Sequence, residues 1–300
     1  MKMRPWDEYF LYPFRLEAPQ PQKVAVVLNA PHSGNIYPSP FLEASKLTSL
    51  ALRGSEDAFV DQLFAQGPAL GAPLLAARFP RAFIDVNREP WELDPEMFDD
   101  RLPTHANTNS IRVAAGLGTI PRLISEDIEI YKEKLPIAEV EARLTKLYFP
   151  YHEALENLVQ QTHAQFGASL LLDCHSMPES AASAGLSETR FRPDIVLGDR
   201  HGSACSRNII ELLQNLLEAE GLRVTRNRPY AGGHITRLHG KPHFGRHAIQ
   251  IEICRSLYMN EETITPHAGF SSLKASLSHV LQQLFCQIPE IIEQKPLAAE

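Results

Sequence analysis

Short apolar runs that stop abruptly at polar residues limit what this chain can fold into more than any other feature. KVAVVLNA (23–30) runs into PHSG, ASLLLD (168–173) runs into CHSMP, and DIVLGD (194–199) and HAIQIEI (247–253) have the same form. Such runs, bounded by turn signals, read as strands covered on both faces of a sheet. Between them lie stretches of helical periodicity: EDAFVDQLFAQGPALG (56–71) closed by Gly71, residues 138–166, SACSRNIIELLQNLLEAEG (203–221) closed by Gly221, and a C-terminal segment over roughly 271–288. PLLAARF (73–79) and AFIDV (82–86) are further strand candidates. Strands alternating with helices imply a mainly parallel sheet with helices on both faces. The weakly periodic stretch 89–136, rich in Pro, Asn, Asp and Gly, is expected to be a long irregular surface excursion of the kind that covers sites.

Three hundred residues with 44% hydrophobic content can bury a core large enough for one α/β domain spanning 1–300. The balance of 29 basic against 36 acidic residues gives a net charge of −7, which argues against a phosphate-backbone binder. The N-terminal MKMRPWDEYFLYPFRLEAPQ has no apolar run of signal-peptide length, and no stretch of about 18 apolar residues occurs. The expectation is a cytoplasmic protein with neither nucleic acid nor membrane as partner. Four widely spaced cysteines without a CxxC suggest neither a disulfide framework nor a thiolate zinc site.

Polar groups at the carboxyl ends of such strands lie where open α/β sheets bind ligands. His32 follows the first run and His175 ends the LLLDCH run. Glu56 and Asp57 open the SEDAFVD segment, where either is a helix-start carboxylate or a metal ligand. Glu252 stands inside the apolar HAIQIEICR, where an unpaired charge is expensive unless a cation is near. Two histidines and a carboxylate with a fourth position open to water are the ligand set of a catalytic zinc hydrolase, and Glu252 would be its general base. Any one of the 12 histidines alone is more often structural, and no HExxH signature is present. Cys174 as a rival nucleophile is disfavoured, because neighbours on a strand point to opposite faces.

From Leu222 to Ile251 the sequence holds Arg223, Arg226, Arg228, Arg237, Lys241 and Arg246, four histidines and no acid. A solvated basic face explains the first three arginines as well as a site does. Gly232 and Gly233, beside His234 and Arg237, suggest a loop that approaches a small anion, with Arg237 offering a planar fork to a carboxylate. Asn87 and Arg88, in IDVNRE, repeat the theme. The expected partner is a small acidic molecule.

NAPHSG, EDAFVDQLF, FPRAFIDVNREPWELDPEMF, LLLDCHSMP, DIVLGDRHG, PYAGGHITRLHG and HAIQIEICRSLYMNE, in this order, resemble the N-formylglutamate amidohydrolase family over about residues 24–262. That family is distantly similar to the zinc carboxypeptidases and aspartoacylases. The resemblance implies a single-domain mixed, mainly parallel sheet flanked by helices, the zinc-carboxypeptidase-like (phosphorylase/hydrolase-like) arrangement. DVNR is similar to the Asp-Leu-Asn-Arg stretch of the aspartoacylase group, which there contacts the substrate's carboxylate. His32 and His175 are implied zinc ligands, Glu252 the implied base and Arg88 an implied substrate clamp. Where the carboxypeptidase pattern has a Glu three residues after the first His, this chain has Asn35, so the third ligand falls to Asp57 or Glu56, with Asp57 preferred. Arg88 or Arg255 is the candidate for holding the oxyanion. The implied reaction is hydrolysis of N-formyl-L-glutamate to formate and L-glutamate, a step of histidine degradation. The alternatives are a zinc deacylase or carboxypeptidase for another N-acyl amino acid, or a carboxylate-binding relative that has lost its metal.

Overall fold

The apolar runs form the middle of a seven-stranded sheet. The computed structural model describes residues 4–125, 127–183 and 192–293. In chain order the strands are β1 (Phe14–Glu17), β2 (Val26–Ala30), β3 (Leu74–Ala77), β4 (Ser169–Met177), β5 (Ile195–Gly198), β6 (Val224–Arg226) and β7 (Arg246–Cys254). Their spatial order is β1-β3-β2-β4-β7-β5-β6. Four neighbouring pairs are parallel, and β1–β3 and β5–β7 are antiparallel, so the sheet is mixed and mainly parallel.

Period-two alternation sends the long central strands into two cores. Leu170, Leu172, Cys174, Ile249, Ile251 and Ile253 face one layer, built by the helices Arg207–Ala219 and Gly269–Glu293. The first of these helices buries Ile209, Ile210, Leu213 and Leu217, one apolar stripe at helical spacing. Leu171 and Ala248 face the other layer, where Val140, Tyr151, Leu155 and Val159 of the helical region 137–166 pack. That region is a helix over Ile137–Arg143, a π turn over Leu144–Tyr148 and a helix over Phe149–Phe166. The wide turn comes just before Pro150, which has no N–H to give to the helical ladder.

Two sequence expectations change. AFIDV (82–86) is a turn, not a strand: Phe83 and Ile84 donate to the Pro80 carbonyl, and Asp85 donates to Thr119. No place beside the preceding strand was open to it, because β3 already has β1 and β2 on its two sides. The expected helix 56–71 is two short helices, Val60–Leu63 and Gly67–Leu70. Phe59, at φ 65°, breaks the first turn, and Gly71, at φ 102°, closes the second helix as expected. The stretch 89–136 is largely irregular, with a helical turn at Ile111–Ala114 and a short hairpin of Leu123–Ser125 with Ile128–Glu129. It is anchored by its own apolar residues, since Leu93, Phe98, Ile120 and Ile130 are buried in the 137–166 layer. Among the described residues no helix is long and apolar enough to cross a membrane.

Candidate active site

The carboxyl ends of β2, β4 and β7 bring their polar residues to one edge of the sheet. His32 lies two residues past β2, in a turn where Gly34 is required because a Cβ there would sit 2.1 Å from the Phe79 carbonyl oxygen. Asp57 is tied to the same turn: its N–H donates to the His32 carbonyl at 3.0 Å, and the Ser33 hydroxyl donates to its carbonyl at 3.1 Å. His175 is on β4, two residues after Asp173 and therefore on the same face. Cys174 points away into the apolar layer, where burial holds its thiol well above the usual range. In the parallel β4–β7 pair, His175 is directly opposite Glu252, and Asp173 is opposite Gln250.

One nitrogen of His32, one oxygen of Asp57 and one nitrogen of His175 lie within 4.8 Å of one another, and all three side chains are buried. The hydrogen bonds explain why these atoms converge. His32 Nε2 is 2.8 Å from Asp85 Oδ1, and an ionised carboxylate only accepts, so Nε2 carries the proton. Neutral His32 then presents the bare lone pair of Nδ1, which has no hydrogen-bond partner and faces Asp57 Oδ2 at 3.4 Å. His175 Nδ1 faces Asp57 Oδ2 at 3.0 Å, and its Nε2 faces Asp173 Oδ2 at 3.1 Å. A bare His32 Nδ1 buried beside an Asp57 carboxylate that is shared with His175 is costly unless a cation lies between them. Two imidazole nitrogens and a carboxylate are the donor types zinc takes, and the Asp85 carboxylate behind His32 fixes that ring's tautomer.

The electrostatics follow from this crowding. Burial alone would push the His175 imidazolium down, but Asp173 and Asp57 outweigh it and hold the ring's pKa well above the ordinary value. Burial would likewise raise Asp57, and the two histidines hold its carboxyl well below the carboxylate range instead. Asp85 is held low by Arg88, His32 and Arg81 despite its burial; Arg81 donates to its Oδ2 at 2.8 Å and the Asn87 N–H to its Oδ1 at 2.8 Å. Among the described residues Glu252 has no ion pair: its Oε1 accepts from Gln250 Nε2 at 2.7 Å, and burial pushes its carboxyl up to about 7.

These groups open into a cleft of about 590 Å³, lined also by Asn87, Arg88, Arg112, Tyr230 and the glycine pair 232–233. Gly233 donates to Gln250 Oε1 at 2.7 Å, and a Cβ on it would meet the Asn87 amide at 2.5 Å, so only glycine fits there. The Asn87 oxygen accepts the Ile235 N–H at 2.9 Å, which makes Asn87 a strut of this loop as well as a cleft wall. Arg88 donates to the Leu117 and Asn87 carbonyls, each at 2.9 Å, and keeps part of its fork free. Arg255 donates to Asp57 Oδ1 at 3.2 Å, Ser176 Oγ at 3.2 Å and the Gly54 carbonyl at 2.9 Å, so it braces Asp57 rather than pairing with Glu252.

Other sequence candidates are placed elsewhere. Glu56 pairs with Arg53 at 3.0 Å, so of the two carboxylates only Asp57 joins the histidines. Arg237 is half exposed, pairs with Glu89 at 2.6 Å and does not line the cleft. His234 faces the Tyr148 hydroxyl at 3.3 Å, outside the lining, and burial pushes its pKa down to about 4. The basic island dissolves in space: Arg223 pairs with Asp194 and Arg246 with Glu156, acids that are remote in sequence. Asp85, Asp173, Gln250 and Arg112 were not singled out from sequence as site residues. The two aspartates carried a signal, since each lies two positions before a candidate (Asn87, His175) and so shares its side of an extended segment.

A mixed α/β sheet with a buried His-Asp-His group at its carboxyl edge defines a class of protein whose cleft can hold a metal ion. A family model described as N-formylglutamate amidohydrolase matches residues 24–259, and the chain belongs to that family. It is 30% identical to an N-formylglutamate deformylase of Pseudomonas putida over 265 residues, 87% of this chain and 91% of that protein. It is 28% identical to the N-formylglutamate deformylase of Pseudomonas aeruginosa over the same shares of each chain. Its fold superposes on the crystal structure of an N-formylglutamate amidohydrolase from Ralstonia eutropha with a TM-score of 0.87 at 35% identity, covering 95% of this chain and 99% of that one. A gene product of Agrobacterium tumefaciens has the same fold, with a TM-score of 0.65 at 21% identity.

Proposed function

We propose that this chain hydrolyses N-formyl-L-glutamate to formate and L-glutamate, with a zinc ion held by His32 Nδ1, His175 Nδ1 and Asp57. The observation that carries the reading is the convergence of these three acceptors on one buried point, with the base-like Glu252 on the adjacent strand. The names of the relatives supply the substrate. A zinc ion so bound supplies Lewis acidity, which activates water and polarises the formyl oxygen at neutral pH.

The rest falls to the chain's own residues. Glu252 takes the proton of the attacking water on its carboxylate and returns it to the departing amine nitrogen, and a carboxyl near 7 suits both transfers. Gln250 holds that carboxylate in place. Asp85 keeps the Nε2 proton of His32 and leaves its Nδ1 to face the site, and the Asp173 carboxylate lies 3.1 Å behind His175 Nε2. Arg88, beside Asp85 and inside the cleft, offers its free donors to the substrate's α-carboxylate. The test is formate release from N-formyl-L-glutamate, measured with metal content before and after chelation. Turnover lost on chelation and restored by zinc is expected. Undiminished turnover in metal-free protein would refute the zinc assignment, and no formate from zinc-loaded protein would refute the substrate.

A further inference from the structure

We infer that Arg112 is the specificity-determining residue that receives the distal, side-chain carboxylate of the substrate. The inference rests on the proposed reading of the cleft as a site for an N-acyl dicarboxylic amino acid. Four arginines line the cleft, Arg81, Arg88, Arg112 and Arg255, against two carboxylates, Asp85 and Glu252. Three of the four are engaged: Arg81 with Asp85, Arg88 with two carbonyls, and Arg255 with Asp57, Ser176 and Gly54. The Arg112 side chain has no hydrogen-bond or ion-pair partner among the described residues. A half-buried guanidinium facing a cleft already rich in positive charge is stabilised by an anion from outside.

The placement of Arg112 is built by the fold. Its helical turn, Ile111–Ala114, is capped by Ser110, whose hydroxyl accepts the Val113 N–H at 3.0 Å and donates to Glu92. The peptide groups of Leu117 link two arginines: the Leu117 N–H donates to the Arg112 carbonyl at 2.8 Å, and Arg88 Nε donates to the Leu117 carbonyl at 2.9 Å. The spacing of Arg88 and Arg112 is therefore fixed through one residue of the excursion. Arg88 is the deeper of the two, 3.7 Å from the Asp85 carboxylate that holds His32. Arg112 is half-buried, on the excursion wall beside the apolar Leu117, Pro121 and Leu123. An amino acid with its amide at the histidines and its α-carboxylate on Arg88 would lay its methylenes on that wall and its far carboxylate on Arg112.

The experiment compares wild type with Arg112→Ala and Arg112→Lys, purified with their metal. The kcat/KM ratio for N-formylglutamate over N-formylglutamine should fall roughly 10- to 100-fold in Arg112→Ala, with partial recovery in Arg112→Lys and the loss mainly in KM. Calorimetric binding of glutarate and its monoamide is read beside turnover, so the inference does not depend on the reaction. Glutarate affinity should fall by a similar factor in Arg112→Ala, and monoamide affinity much less. An unchanged preference ratio together with unchanged glutarate affinity would overturn the role of Arg112. Wild type that binds glutarate through Arg112 but releases no formate would instead refute the reaction and leave Arg112 as the carboxylate reader. Unchanged thermal midpoints in both variants exclude a merely structural role.

Discussion

The floor of the cleft and its rim are held by different physics. On the floor, His32, Asp57, His175 and Glu252 are at most 6% exposed, and each is fixed by buried partners that leave it one orientation. On the rim, Arg112 lies half-buried on a short helical turn and has no side-chain partner among the described residues, and beyond the cleft Arg237 is held in a surface ion pair. Charge interactions strengthen as water is excluded, so the floor's groups are tightly coupled. Screened rim charges add little to stability and are free to meet a ligand. The floor should set whether the reaction happens, and the rim which molecule undergoes it.

The largest effect that would break this division is at Glu252. Glu252→Gln keeps the bond to Gln250 in form but cannot take a proton, so kcat should drop by roughly 10²–10⁴-fold with metal content intact. A carboxyl pushed up to about 7 by burial also predicts a falling kcat/KM as pH drops below about 7, because the protonated form is not a base; a bound cation moves that limb lower. A pH-rate profile on wild type checks it, and wild-type-like turnover in the variant would remove Glu252 from the chemistry.

Next in size is the support behind the histidines. Asp85→Asn no longer compels His32 to keep its proton on Nε2, and metal affinity should weaken about 10- to 100-fold in chelator competition. Folding should also suffer, since Arg81 loses its buried partner. A variant with normal metal affinity would show that Asp85 is only a structural anchor.

The arginines outside the floor give smaller and more selective effects. Arg88→Lys swaps a planar fork for a point charge and should raise KM about tenfold for carboxylate substrates, while Arg237→Lys, engaged with Glu89 on the surface, should change KM less than about twofold. Equal effects from the two, measured side by side, would erase the boundary drawn between cleft and surface.

The last effect concerns stability beneath the floor rather than turnover. His152 is packed against Tyr148 with Nε2 2.8 Å from the Val86 carbonyl, and burial pushes its pKa down to about 3. An unfolded histidine titrates near 6.5, so below that pH the unfolded chain takes up a proton that the folded one refuses. Stability is complete above about 6.5 and should fall on acidification toward 3, by at most about 1.4 kcal/mol per pH unit from this one group. His247, lowered to about 4 by burial, adds to the same slope. Thermal melts between pH 7.5 and 4.5 measure it, and His152→Gln should flatten the curve.

Sequence alone determined whatever depends on local pattern. Apolar runs of strand length mark β2, β3, β4, β5 and β7, because a strand covered on both faces must be apolar throughout. Polar residues where those runs end mark His32, His175 and Glu252, because a buried polar group needs a reason to be there. Period two put Cys174 and His175 on opposite faces. Tertiary structure decided what depends on partners remote in the chain. AFIDV has the composition of a strand, but both neighbouring places at β3 were taken. The choice of Asp57 over Glu56 turned on a backbone bond to His32 and on Arg53 drawing Glu56 away. The arginines of 222–251 looked free because their acids, Asp194, Glu156 and Glu89, lie far off in sequence. Arg112 had no sequence signal, since a guanidinium without a partner is recognised only when every possible partner has been located in space.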